Sequence, residues 1–141
     1  MNESVEIGKP VQLNTCSIKT EFDIVKARQL VRIHAKQLKL GIVDQTRITT
    51  AASELFRNMY QYAGGGEVLI EKGTYNGHES IIITCIDEGP GIENIELAMR
   101  DGYTSGDGMG CGLPGAKRLV DDFFIDSKLN IGTLIKIVKW L

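Results

Sequence analysis

Glu54 and Asn58 stand four residues apart in a stretch that reads as helix. At that spacing the two side chains project from neighbouring turns of one face. Further along, an acid at the end of an apolar run, Asp87, is followed by Gly89, Pro90 and Gly91. A second glycine cluster, Gly102, Gly106, Gly108, Gly110 and Gly112, then leads into Leu113-Pro114 and a helical pattern. Glycine lets backbone approach a ligand closely, and the free amides at a helix N-terminus favour a bound anion. Pro114 suits a first helical turn, where its missing amide proton costs nothing. Such residues can hold a nucleotide phosphate chain against backbone amides. The loop is no Walker loop, because no Gly-Lys-Ser/Thr closes it, and the Gly89 to Gly91 turn lacks the spacing of a dinucleotide fingerprint. Taken singly, the acid–amide stripe reads as solvated helix surface and the glycines as turn signals. Their chemistry depends on the fold bringing them together.

The elements that must do so follow in order. Pro10 to Lys19 alternates loosely, as a strand near a sheet edge would. Thr20 and Asp23 cap a helix from Glu21 to Leu40, whose stripe is Ile24, Ala27, Val31, Ala35 and Leu38, with Gly41 as its stop. His34 lies beside that stripe and reads as packing or surface. A second helix, Val43 to Ala63, turns Ile48, Ala51, Ala52, Leu55, Met59 and Ala63 toward a sheet; Arg47, Glu54, Asn58 and Gln61 form its other stripe. After Gly64-Gly65-Gly66, strands Glu67 to Lys72 and Glu79 to Asp87 are joined around Asn76-Gly77, a strong hairpin signal. The second of these is apolar on both faces and so central. Glu93 to Arg100 reads as a short helix and Asp101 to Gly112 as a flexible loop. A helix follows with Leu113, Ala116, Leu119, Val120 and Phe123 apolar, then strands Phe124 to Lys128 and Thr133 to Trp140. The order predicts an α+β two-layer sandwich: a mixed, mostly antiparallel sheet with helices on one face. Residues 1–9 read as a flexible leader and 10–141 as one domain.

Composition bounds the partners. A chain of 141 residues suits one domain with a real core. With 43% apolar and 24% charged residues and a formal charge of −2, nothing in the balance calls for nucleic acid or an acidic membrane surface. The start is polar, and no apolar run approaches the ~20 residues of a membrane span. Cys16, Cys85 and Cys111 are too scattered for a disulfide framework or a paired zinc site. The expectation is a soluble protein of a reducing cytoplasm.

Three separated motifs carry a family resemblance. Ser53 to Ala63, SELFRNMYQYA, resembles the asparagine box of the ATP-binding fold shared by DNA gyrase, the Hsp90 chaperone, histidine kinases and MutL, the GHKL or Bergerat fold. Asp87-Glu88-Gly89-Pro90-Gly91-Ile92 is similar to its first glycine box, and Gly106 to Leu113, GDGMGCGL, to its second; Gly132-Thr133 is similar to the last box. Within that fold, Phe22 to Leu30, Asp44 to Ala51, Gly112 to Leu119 and the ending Lys139-Trp140-Leu141 resemble the small serine kinases that control sigma factors, nearest the switch kinase of the stressosome.

That resemblance implies Mg-ATP-dependent phosphorylation of a serine or threonine on a STAS-domain protein within a stressosome-like scaffold. The released kinase would then activate an effector such as a phosphatase, and homodimers are possible. It implies that the Asn58 side-chain oxygen is a magnesium ligand and that Glu54 accepts or orients the proton of the attacking hydroxyl. Asp87 would accept from the adenine amine, with Gly91 letting the base lie against backbone, Gly89 and Ile92 as further nucleotide-binding positions and Thr133 supporting the contact through water. The amides of Gly108, Met109, Gly110, Cys111, Gly112 and Leu113 would cradle the phosphates, with Gly106 as a further nucleotide-binding position and Lys117 or Arg118 as countercharge. Cys111 departs from the small residue expected there; it is either a redox-sensitive thiol at a helix start or simply a small side chain. A binding module that uses ATP only to shape a partner surface would share every one of these residues. A detached ATPase domain of the histidine-kinase or gyrase type fits less well, since His34 and His78 lack the setting of a phosphoacceptor histidine.

Overall fold

The computed structural model describes residues 10–100 and 112–141. The predicted leader, most of the predicted 101–112 loop, and with it Gly106, Gly108, Met109, Gly110 and Cys111, lie outside the described residues. The order is β1 (Val11–Ile18), α1 (Glu21–Gln37), α2 (Ile42–Ala63), β2 (Gly66–Tyr75), β3 (His78–Asp87), α3 (Ile95–Ala98), α4 (Gly112–Arg118), β4 (Asp122–Lys128) and β5 (Gly132–Trp140). The strands form one sheet in the order β1-β2-β3-β5-β4, so β3 is central and β1 an edge, as their patterns predict. All four pairings are antiparallel, so the sheet is not mixed. The β2–β3 and β4–β5 pairs are hairpins, α1 and α2 connect β1 to β2, and α3 and α4 carry the chain from β3 across to the edge strand β4, which runs parallel to β3 with β5 between them.

Local signals set most boundaries. Thr20 and Asp23 form a reciprocal capping box at the start of α1. Gly41 does not stop that helix: Lys39 takes the left-handed turn, at φ 68°, and Gly41 is the N-cap of α2. Gly64 closes α2 at φ 76°. Asn76 and Gly77 both have positive φ, and Tyr75 pairs with His78, so the hairpin is tighter and its strands longer than the apolar runs indicate. The last helix ends at Arg118, and Phe123 belongs to β4. Its apolar spacing continues into a strand because that strand also packs on the core.

The core lies between one sheet face and the helices. Ile18, Val68, Ile70, Ile81, Ile83 and Ile137 of the sheet meet Val31 and Ala35 of α1 and Ile48, Leu55, Phe56 and Met59 of α2. Burying each of the larger aliphatic chains contributes roughly 1.5–3 kcal/mol. Phe56, Thr49 and Ser53, outside the predicted stripe, are buried too, because α2 packs on α1 and α4 as well as on the sheet. The opposite sheet face carries a small cluster of Tyr75, Ile82 and Val138 with Trp140 against it.

Candidate functional site

The sheet register places one row of polar groups at its end. Asp87 of β3 is paired with Thr133 of β5, and Thr133 with Ser127 of β4. Directly paired residues share a face, so a carboxylate and two hydroxyls line up across three neighbouring strands. The next row in, Cys85 opposite Ile135, is apolar, and burial pushes the Cys85 thiol above its ordinary pKa, which favours the neutral thiol.

Hydrogen bonds hold this row and the turn beside it in place. Asp87 Oδ1 accepts from the Gly89 amide at 2.9 Å, which leaves its second oxygen without a partner among the described residues. Ser127 Oγ accepts from the Ile92 amide at 2.8 Å and lies 2.7 Å from Thr133 Oγ1. The Asn130 amide donates to the Pro90 carbonyl at 2.7 Å, so the Asp87–Ile92 turn is bolted to the β4–β5 hairpin. Gly91 has φ 79°, and a Cβ there would fall 2.4 Å from the Lys128 carbonyl oxygen; only glycine fits this approach. Gly89 packs on Ala63 at the end of α2.

Above the row lies a cavity of about 360 Å³, within the usual range for small-molecule sites. Its walls are Asn58, Met59 and Tyr62 of α2, Pro90 to Asn94 of the turn, Leu97 and Ala98 of α3, and Gly112 and Leu113 at the start of α4; Asp87, Thr133, Cys85 and Ile135 also line it. The structure therefore gathers Asn58, Asp87, Gly91, Ile92, Gly112, Leu113 and Thr133 around one space. Glu54 does not line it but reaches its rim. One carboxylate oxygen accepts from the Gly112 amide at 3.2 Å and the other from Arg57 at 3.2 Å, with the Glu54 side chain 15% exposed.

Several predicted residues are elsewhere. Lys117 is exposed in the last turn of α4 and is not among the lining residues, and Arg118 is exposed beside it. Arg47 lies near Asp44, 3.9 Å away, at the far end of α2. His34 contacts the Asn14 side chain, tying α1 to β1, which is a packing role. Sequence reasoning missed Ser127 and the apolar wall of Leu97 and Ala98. Ser127 was open to discovery, since pairing the two last strands about Asn130-Ile131-Gly132 puts it opposite Thr133. The wall carries no comparable signal, because α3 is a single turn.

The chain matches the family model for histidine kinase-, DNA gyrase B-, and HSP90-like ATPases over residues 43–140. It is 52% identical over 124 residues, 88% of this chain and 93% of the relative, to the serine/threonine-protein kinase RsbT of Bacillus subtilis. It is 32% identical over 120 residues to an anti-sigma F factor of Thermoanaerobacter sp., covering 82% of this chain and 83% of that one. Among solved structures, the RsbU and RsbW domains of a Mycobacterium tuberculosis protein align over 92% of this chain and 33% of that chain, with TM-score 0.62 and 17% identity, a likeness of fold.

Proposed function

Because this chain belongs to the histidine kinase-, DNA gyrase B-, and HSP90-like ATPase family, and is similar to a serine/threonine-protein kinase along nearly the whole of both chains, we propose that it is an ATP-dependent serine/threonine-protein kinase that switches between protein partners. One observation carries the assignment of its site. Asn58, Asp87 and Thr133, from three different elements, face a single cavity, and Glu54 is bonded to the amide at its rim.

The unpartnered oxygen of Asp87 accepts from the adenine amine. Thr133, its hydroxyl oriented by Ser127, supports that contact, and the Gly89 to Ile92 backbone, fixed to the hairpin, forms the flat side against which the base rests. The amides of Gly112 and Leu113 face the phosphates. Asn58 offers one side-chain oxygen beside them, which suits magnesium, an ion that takes one or two protein oxygens and fills its shell with phosphate and water. Bound there, the ion would neutralise charge on the triphosphate. Glu54 and a phosphate oxygen compete for the Gly112 amide. Nucleotide binding thus frees a Glu54 oxygen to accept the proton of the incoming serine or threonine hydroxyl, a positioning task suited to phosphoryl transfer. Arg57 keeps the other oxygen in place.

The protein substrate in this reading is a STAS-domain protein of a stressosome-like scaffold in the cytoplasm. Phosphorylating it releases the kinase to an effector of the phosphatase type. The test is incubation with radiolabelled ATP, magnesium and STAS-domain proteins encoded beside it. E54A abolishes transfer while preserving or tightening nucleotide binding, because a competitor for the Gly112 amide is gone; N58A weakens both. Transfer that survives both substitutions overturns the assignment, and ATP binding without transfer to any partner would favour a module that uses nucleotide only to shape its surface.

A further inference from the structure

Away from the nucleotide cavity, α1 and α2 enclose a groove of about 440 Å³ lined by Arg28, Gln29 and Arg32 of α1 and Thr49, Thr50 and Ser53 of α2. Arg28 and Arg32 are one turn apart and so face the groove together. Neither has an ion pair or hydrogen bond among the described residues, and no carboxylate lines the space. Thr49 is the telling residue. It is 3% exposed and its hydroxyl finds no hydrogen-bond partner among the described residues. Two other hydroxyls of this helix behave differently: Thr46 donates back to the Ile42 carbonyl at 3.1 Å and Ser53 to the Thr49 carbonyl at 2.8 Å, the usual recourse of a helical hydroxyl. A buried hydroxyl with an unspent proton is a group that a ligand satisfies.

We propose that this groove is a second anion site, built for a tetrahedral oxyanion of the phosphate-monoester type. Two guanidinium groups supply planar pairs of donors, the Thr49 hydroxyl supplies a third direction from the groove floor, and the Gln29 amide and Thr50 hydroxyl add donors at the mouth. Three acceptor oxygens on one centre match donors converging from two helices, whereas a flat carboxylate satisfies only one fork. The ligand has two sources with the same chemistry, free phosphate or a phosphorylated side chain on a protein.

The test is a titration of the full chain followed by two-dimensional NMR of backbone amides and arginine side chains. A saturating non-hydrolysable ATP analogue is present throughout to occupy the nucleotide cavity. The probes are inorganic phosphate, a short phosphoserine peptide, its unphosphorylated form, and acetate. The expected result is a saturable shift at Arg28, Arg32, Thr49 and Ser53 with phosphate and with the phosphopeptide, and none with acetate or the plain peptide. R28Q/R32Q weakens binding roughly tenfold or more, since it removes charge-assisted bonds, and T49V weakens it about threefold or more while leaving the amide spectrum folded. A phosphopeptide that binds at least tenfold tighter than phosphate identifies a protein-borne ligand; equal affinities identify the free ion. Shifts that remain outside the groove, acetate binding as well as phosphate, or R28Q/R32Q binding like the parent protein would each overturn the proposal. Because every readout is local to α1 and α2, failure here leaves the kinase reading untouched, and a protein unable to transfer phosphate could still pass.

Discussion

Ser127→Ala tests whether the hairpin and the nucleotide site are one unit. Ser127 Oγ lies 2.8 Å from the Ile92 amide, 2.7 Å from Thr133 Oγ1 and 3.2 Å from the Gly132 carbonyl. Alanine leaves a half-buried amide, and the hydroxyl of Thr133, a residue only 9% exposed, without their partner. A neutral hydrogen bond is worth about 1 kcal/mol net, and a stranded donor costs about 1–3 kcal/mol, so the loss here is about 2 kcal/mol. For a chain of this length that lowers Tm by about 6 °C. Thermal and urea unfolding of S127A, T133V and the double variant gives the cycle, in which a coupling of about 1 kcal/mol between the two positions is expected. Nucleotide affinity, measured by calorimetry, falls roughly three- to tenfold in S127A, as Ile92 and Thr133 lose their anchor. Strict additivity together with a stability loss below about 0.5 kcal/mol would refute the reasoning. A full stability loss with unchanged affinity would leave Ser127 as a bolt for the hairpin alone.

Other substitutions probe the frame. Lys39 holds φ 68° at an exposed position after α1, so Lys39→Gly relieves a left-handed strain of about 1–2 kcal/mol against a flexibility cost of about 0.5–1 kcal/mol. A net gain of about half a kcal/mol in urea unfolding, with nucleotide affinity unchanged, is expected. Lys139→Met removes a cation that is 9% exposed and lies 2.8 Å from Asp121 and 3.5 Å from Asp44, leaving two carboxylates facing an apolar chain. Urea unfolding should show a loss of about 2–3 kcal/mol, discounted from the fully buried case because both acids keep some solvent contact. Asp122 has its pKa raised, first by burial and then by the charge of Asp121, and its Oδ2 is buried without a hydrogen-bond partner among the described residues. The folded state therefore binds that proton more tightly than the unfolded chain does, and the stabilising effect of protonation is lost as pH rises from its ordinary value through the raised one. Asp122→Asn should be more stable than the parent at pH 7, with the difference shrinking as pH falls toward 4 in matched urea titrations.

The elements were legible where local chemistry is decisive. The capping pair Thr20 and Asp23, the Asn76-Gly77 turn and the all-apolar β3 each fix their own structure within a few residues, and each lies where its pattern places it. Boundaries failed where one residue type served two contexts. Gly41 reads as a stop and is the start of the next helix, because Lys39 already carries the left-handed turn. Phe123 reads as a helical position because a strand packed on the same core repeats the apolar spacing by coincidence. In the site, Glu54, Asn58 and Asp87 were visible because a turn of helix or a strand end announces them. Ser127 emerges only one step later, when the last two strands are paired about Asn130-Ile131-Gly132 and the register sets it opposite Thr133. Thr49 and Ser53 were invisible for a similar reason: only the packing of α1 on α2 shows that this side of the helix is covered.

Register is therefore the property on which the site depends. A slip of one residue between β3 and β5 would put Leu134 opposite Asp87 and turn Thr133 to the other sheet face, dismantling the polar row without changing any side chain. Both ends of the pair oppose such a slip. At the site end, Gly132 has φ 150°, and a Cβ there would fall 2.1 Å from the Asp87 carbonyl oxygen, so no other residue of β5 can take its place against β3. At the far end, Lys139, paired with Ile81, is held on the core side by Asp121 and Asp44, and the Trp140 amide donates to the same Asp121 carboxylate at 2.7 Å. A slip would move that buried cation to the outer face and carry Trp140 off its acid. The ion cluster lies far from the cavity, yet by fixing which face Lys139 takes it also fixes which face Thr133 takes, six residues away on the same strand and so on the same side.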